Sequence, residues 1–290
     1  MAVTNGGWHL RSMRPDDIPK AEIIRHLAGW NQTEDDWRRL LALAPDGCFV
    51  AEVSGGPVGT VTTTGYGKAL AWIGMMLVRP ERRRQGIGGA LLGQAIQYLQ
   101  KMGVACIGLD ATPAGQPLYA GLGFVPLWPL ARWQGTLPDS PPTPGSGIVT
   151  QISDSLWPPI VELDCLSFGV SRTALLHALA EQSVRVAVAV DRANGVAGFG
   201  MLRRGSRAWM LGPLVSVERE SAAQLLAALC ANLPPGPLFW DIPEPNQSAV
   251  QLAESLGFKK QRTLTRMAYG ATYLAHDSTI LWAIADLATG

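Results

Sequence analysis

The clearest chemistry in the sequence lies in Val78–Leu91 (VRPERRRQGIGGAL), where an apolar strand end runs through a basic turn and a glycine loop into an amphipathic stretch. Gly86, Gly88 and Gly89 lack a Cβ, so backbone N–H groups at a helix start there can approach an anion closely. The helix dipole adds about half a positive charge at that end, and Arg82, Arg83 and Arg84 stand beside it. The combination suits a pyrophosphate. Two common phosphate motifs are excluded: the run Gly86–Leu91 lacks the third glycine of the dinucleotide fingerprint, and no Gly-Lys-Ser/Thr follows it. About 30 residues on, Leu118–Phe124 (LYAGLGF) places Tyr119 ahead of a Gly-Phe pair.

These residues need an α/β frame. Ala71–Val78 is a nearly continuous apolar run of strand length, as a central strand should be. Ile87, Leu91, Ala95, Tyr98 and Met102 recur at gaps of 4, 4, 3 and 4, one face of a helix. Upstream, Trp8–Met13 reads as a strand, Asp16–His26 as a helix, and Thr33–Leu43 as a helix opened by a Thr cap. Phe49–Val53 and Gly59–Thr64 read as strands joined by the turn Ser54-Gly55-Gly56-Pro57. Ile107–Asp110 is a short strand, Pro117–Leu122 a short helix, and Phe124 starts another strand.

The frame occurs twice. Ala71–Arg82 aligns without gaps on Ala208–Arg219 with 6 of 12 positions identical, and Leu122-Gly123-Phe124 corresponds to Leu256-Gly257-Phe258. Gly59 after its turn likewise corresponds to Gly198 after Asn194-Gly195. Between the copies, Leu137–Gly147 (LPDSPPTPGSG) has almost nothing to bury and reads as a semi-stiff connector. The expected domains are 1–137, a linker at 138–147, and 148–290.

The glycine loop resembles motif A of the GCN5-related N-acetyltransferase (GNAT) superfamily, R/Q-x-x-G-x-G/A, with Arg83, Gly86 and Gly88 in the motif positions; Leu118–Phe124 is similar to the end of its motif B. The resemblance implies two tandem GNAT-like domains, each a mixed, mostly antiparallel twisted sheet flanked by helices. It further implies acetyl transfer from acetyl-CoA to a primary amine by direct attack in a ternary complex. The pyrophosphate would lie on Arg83, Arg84, Gln85, Gly86, Ile87, Gly88, Gly89 and Ala90, with backbone N–H groups around Met76, Leu77 and Val78 orienting the acetyl group. Tyr119 would be the general acid for the departing thiolate. Where the family often has an Asn that contacts CoA, this chain has Thr112. The central strand carries no acid, so the base is either a water chain or Asp110, whose other reading is a strand-end cap. Trp30 and Asn31 fall where the family builds its acceptor pocket; core packing and capping are the alternative for them.

The second copy has Glu220 where Arg83 stands, no loop glycine, and Ala253 at the position of Tyr119, so it reads as a silent structural partner. Its acids Asp164, Asp241 and Glu244 are candidates for recognising a cationic amine, or else solvated surface groups. A second functional reading is a non-catalytic acyl-CoA-binding sensor or scaffold. With 24 Lys+Arg against 23 Asp+Glu, nothing global points to nucleic acid or an anionic membrane. No apolar run spans a bilayer, no signal peptide is visible, and the four cysteines lie far apart without metal-ligand spacing. The expectation is a cytoplasmic, metal-free enzyme; its oligomeric state is open.

Overall fold

The computed structural model describes residues 7–136, 147–190, 195–271 and 277–290. The expected linker up to Gly147, Asn194 of the second turn and the first six residues lie outside them. The first half runs β1 (His9–Ser12), α1 (Ile18–Leu27), α2 (Glu34–Leu43), β2 (Phe49–Val53), β3 (Gly56–Tyr66), β4 (Leu70–Val78), α3 (Ile87–Lys101), β5 (Cys106–Ala111), α4 (Gln116–Gly121) and β6 (Val125–Gly135). The second runs β7 (Ile148–Val149), α5 (Trp157–Phe168), α6 (Thr173–Gln182), β8 (Ser183–Val190), β9 (Val196–Arg204), β10 (Trp209–Ser216), α7 (Arg219–Cys230), β11 (Leu238–Pro243), α8 (Gln247–Ser255), β12 (Lys259–Gly270) and β13 (Leu281–Ala283).

Local chemistry fixes several boundaries. Thr33 caps α2 in a capping box, its backbone N–H donating to Asp36 Oδ2 at 2.7 Å. α3 buries Ile87, Leu91, Leu92, Ala95, Ile96 and Leu99 against the face of β2–β5, while α1 and α2 cover the opposite face. The entry to α1 is tied to the β1–β2 pair by Arg11, which donates to Asp17 at 2.6 and 2.7 Å and to Glu52 at 2.8 Å. Arg11's hydrogen bonds hold the Glu52 carboxyl below its ordinary 4.5. A depressed folded pKa means that Glu52 contributes its full stability above about pH 4.5 and loses it as the pH falls through the folded value. Glu52→Gln should therefore flatten the acid side of the stability profile, measured by urea unfolding between pH 3 and 7; an unchanged slope would remove Glu52 from acid unfolding.

All the strands join one sheet, in the order β1-β2-β3-β4-β5-β12-β6-β11-β10-β9-β8-β7, with β13 added on β10. The sheet does not divide where the sequence does. β12 of the second half pairs antiparallel with β5, from Thr265 opposite Ala111 to Gly270 opposite Cys106. β6 of the first half pairs with β11, from Leu130 opposite Pro243 to Gly135 opposite Leu238. Each copy is completed by the long strand of the other. Two buried ion pairs sit across these exchanged edges: Arg266 on β12 donates to both Asp110 oxygens at 2.9 and 3.0 Å, and Arg132 on β6 to both Asp241 oxygens at 2.8 and 2.6 Å.

All four cysteines are free thiols. Among the described residues no helix is long and apolar enough to cross a membrane. No cluster of His, Cys, Asp and Glu able to hold a metal occurs among them either.

Candidate active site

The two parallel strands at the heart of each copy start together and then part. β4 pairs with β5 only from Leu70 to Trp72. On its other side, β4 slips register against β3 between the Thr60–Leu77 and Thr62–Gly74 pairs, and Met75 takes a left-handed φ of 45°. Thr60 Oγ1 donates to Met75 O at 2.7 Å and fixes this bulge. The edge of β4 from Ile73 to Val78 is therefore left without a strand partner facing β5.

The glycine loop sits at the far end of that opening. Arg84 and Gly86 have φ of 60° and 77°, turning the chain sharply into α3, and Gly86 is the N-cap. The N–H groups of Ile87, Gly88 and Gly89 belong to the first turn, where no intrahelical acceptor exists. Arg83, Arg84 and Gln85 are exposed around it; Arg83 Nε donates to Val78 O at 3.2 Å and Gln85 Nε2 to Glu81 O at 3.3 Å. A Cβ added at Gly88 would come no closer than 3.5 Å to Leu118 and Met76, and one at Gly89 no closer than 3.9 Å to Leu118. The protein's own packing therefore does not demand glycine at either position, whereas Gly86 needs it for its φ.

Between the parted strands lies a cavity lined by Trp30, Ile73–Met76, Leu109, Asp110, Thr112, Tyr119, Arg262, Leu264 and Leu287. Tyr119 projects from α4 and packs edge-on against Phe124 at 6.1 Å. Gly115 is required here, since a Cβ on it would stand 2.9 Å from the Tyr119 ring. Burial pushes the Tyr119 phenol up to about 12, and its hydroxyl makes no hydrogen bond to any described residue. Thr112 lines the cavity while its hydroxyl accepts from Gly115 N at 3.3 Å.

The structure brings Tyr119, Trp30, Thr112, Asp110 and Met76 to one cavity and corrects other expectations. Asn31 is spent on structure: Oδ1 accepts from the N–H groups of Arg207 and Ala208, both at 3.0 Å, and Nδ2 donates to Ala208 O. It locks the first half onto the 205–208 turn and does not line the cavity that holds Tyr119. Asp110 is neither a free base nor a strand-end cap, because both its oxygens are held by Arg266, whose guanidinium lies between Trp72 and Trp128 at 4.4 Å from each ring. The second half's acids do not face an acceptor: Asp164 is buried against Arg172, Asp241 against Arg132, and Glu244 pairs with Lys260. Nor are Asp164 and Asp241 surface groups, since both side chains are wholly buried. What the second half supplies to the cavity is Arg262, Leu264 and Leu287.

In the sequence the second half's acids, not these three residues, stand out as its contribution to an acceptor site. Arg262, Leu264 and Arg266 alternate along β12, which marks one strand face, but nothing local says that the strand joins β5. The last residues are equally hidden: Trp72 Nε1 donates to Leu287 O, Tyr66 Oη to Thr289 O at 2.5 Å, and a Cβ on Gly74 would lie 2.4 Å from Ala288 O. Gly74 is thus needed for the close approach of that segment beneath β4.

In the second copy the equivalent opening is filled. β10 pairs with β11 only from Trp209 to Leu211, and β13 takes the edge beyond, placing Ala283 opposite Leu214 and Leu281 opposite Val215. Trp240 Nε1 donates to Trp282 O at 2.8 Å and Trp282 Nε1 to Ser216 O at 2.9 Å, sealing the strand in place.

Comparison with known proteins agrees with this geometry. Residues 14–124 match the acetyltransferase (GNAT) family and residues 160–283 an acetyltransferase (GNAT) domain. The chain is 26% identical over 226 residues to holothin acyltransferase of Pseudoalteromonas sp. (strain SANK 73390), covering 77% of this chain and 75% of that one. It is 24% identical over 233 residues to an uncharacterized N-acetyltransferase, YitH, of Bacillus subtilis (strain 168), covering 80% and 81%. The crystal structure of a putative acetyltransferase from Pyrococcus horikoshii superimposes with a TM-score of 0.84 at 26% identity, covering 99% of this chain and 98% of that one. A tandem GNAT protein from the clavulanic acid biosynthesis pathway shares the fold, with a TM-score of 0.70 at 17% identity over 91% of this chain and 99% of the other. With one match on each half and a mixed, mostly antiparallel sheet flanked by helices in both, this chain is a tandem member of the GNAT acetyltransferase family.

Proposed function

We propose that the protein is an acetyl-CoA-dependent N-acetyltransferase acting on a primary amine, with one working site per chain, in the first copy. The observation that carries this reading is Tyr119: a buried phenol with no hydrogen-bond partner among the described residues, in a cavity bounded by the open edge of β4. The α3 N-terminus and its three exposed side chains suit the pyrophosphate of CoA. The unpaired edge of β4 suits the pantetheine amides and the thioester carbonyl.

The amine lone pair attacks the thioester carbonyl carbon, the carbonyl oxygen gains negative charge beside the β4 N–H groups around Met76–Val78, and the C–S bond then breaks. The departing thiolate takes the Tyr119 proton, and the new amide nitrogen loses one to water. A water route for that last proton fits better than Asp110, whose two oxygens are already engaged by Arg266. In the second copy β13 occupies the matching space and Ala253 replaces the acid, which supports one site per chain. Release of thiol from acetyl-CoA across a panel of amines, with calorimetric CoA binding on the same preparation, tests the reading. Turnover of one amine class and a stoichiometry of one bear it out; tight binding without turnover of any amine favours the sensor reading, and no binding overturns both.

The loop has its own test. Gly88→Glu sets a carboxylate where the pyrophosphate would lie, while the Cβ meets no contact shorter than 3.5 Å. Affinity for CoA should fall by about 10- to 100-fold through charge repulsion at the helix end, with little change in melting temperature. Unchanged affinity would place the cofactor elsewhere.

A further inference from the structure

Arg262 takes no part in the ion pairs that staple the exchanged strands. It shares a face of β12 with Leu264 and Arg266, and both Arg262 and Leu264 line the cavity that holds Tyr119. The carboxylates within reach are already committed, Asp110 to Arg266 and Asp241 to Arg132. Arg262 makes no ion pair or hydrogen bond with any described residue, and its Nε is buried without a partner. Burial, and after it the charge of Arg132, bring the guanidinium down to about 10, so it is still a cation at neutral pH. The residue is half-buried with only Nε wholly shielded, so its terminal nitrogens remain free to take a ligand, and the cavity around it has a half-buried Trp30 and the apolar Leu264 and Leu287 for walls. Among the residues lining the cavity Arg262 is the one guanidinium, the one carboxylate, Asp110, is already paired, and Arg207 adds positive charge from outside the lining, so the cavity is short of negative charge.

From this we infer that the acceptor is an amine that also carries a carboxylate, received by the Arg262 guanidinium while the amine points to the β4 edge near Tyr119. The inference rests on the N-acetyltransferase reading above and names its substrate class. A planar fork of N–H donors matches a carboxylate with two parallel bonds, and one unpaired cation matches one charge better than the two of a phosphate monoester. The second copy thus lends the first a recognition group through the exchanged strand.

The test compares kcat/KM of the whole protein for amino acids, their carboxamides and the corresponding amines without the carboxyl group, in the wild type, Arg262→Gln and Arg262→Lys. The expected preference for the carboxylate is about 10- to 100-fold, the range for hydrogen bonds to a charged group. Arg262→Gln should bring that ratio close to one, chiefly through KM, and Arg262→Lys should restore part of it. A wild type that treats the three acceptors alike, one that prefers a phosphonate over its matched carboxylate, or an Arg262→Gln variant that slows all acceptors equally would overturn the assignment. Calorimetric binding of an N-acetyl amino acid against its amide, with CoA present, reads the same site without turnover. Carboxylate-selective binding that Arg262→Gln abolishes supports the Arg262 assignment even where transfer itself fails; unselective binding, or none, overturns it.

Discussion

Tyr119→Phe lowers kcat by about 10²- to 10⁴-fold, the range a positioned general acid contributes, while CoA binding stays near the wild-type value. The substitution is well suited to the question, because the ring keeps its contact with Phe124 and its place beside Gly115 and only the hydroxyl is lost. That hydroxyl has no partner among the described residues, so its removal strands no buried group. The pH dependence adds a second constraint. With burial holding the phenol at about 12, the acid stays protonated across the working range. The wild-type kcat/KM should therefore climb as the acceptor amine deprotonates and show no descending limb before the phenol itself titrates. A descending limb near neutrality would point to a different acid. Turnover in Tyr119→Phe equal to the wild type would remove Tyr119 from the mechanism.

The parts of the site that rest on local chemistry were legible in the residues. The apolar run ending at Val78, the glycines at a helix start and the period of α3 each needed only neighbours within a few positions, and β4, the loop and α3 lie where those patterns put them. Tyr119 was legible for the same reason, through the short helix and Gly-Phe turn that carry it. Asn31 takes the capping alternative and Asp110 neither of its two readings, because a polar residue's type does not say which partner will consume it. The partners, Arg207–Ala208 and Arg266, are more than 150 positions away. The strand exchange was hidden more deeply. β6 and β12 read equally well as the last strand of either copy, since a duplicated frame offers both partners nearly the same pleated surface. What differs is the side chains, with Arg266 meeting Asp110 and Arg132 meeting Asp241 across the exchanged edges.

That distinction predicts a large effect on stability. Asp110→Ala leaves the Arg266 guanidinium without its carboxylate between two tryptophans, with both side chains of the pair almost wholly buried. Removing one partner of a buried pair costs about 3–5 kcal/mol, because the surviving charge loses its counter-ion in a site away from bulk water. The effect should appear in urea unfolding of the whole chain as a large drop in midpoint. Replacing both partners with apolar groups of similar size, Asp110→Leu with Arg266→Met, should recover most of it, since no charge is then stranded. The same pair of variants separates a structural Asp110 from a catalytic one. A staple predicts that the double variant regains stability and keeps turnover well above that of Tyr119→Phe, because the route for the amine proton runs through water. A base predicts the reverse: stability little changed in the single variant and activity lost in both. Since β12 also presents Arg262 to the cavity four residues before Arg266, loosening the staple should blur acceptor choice before it touches CoA binding, which the proposed function puts on β4 and the start of α3.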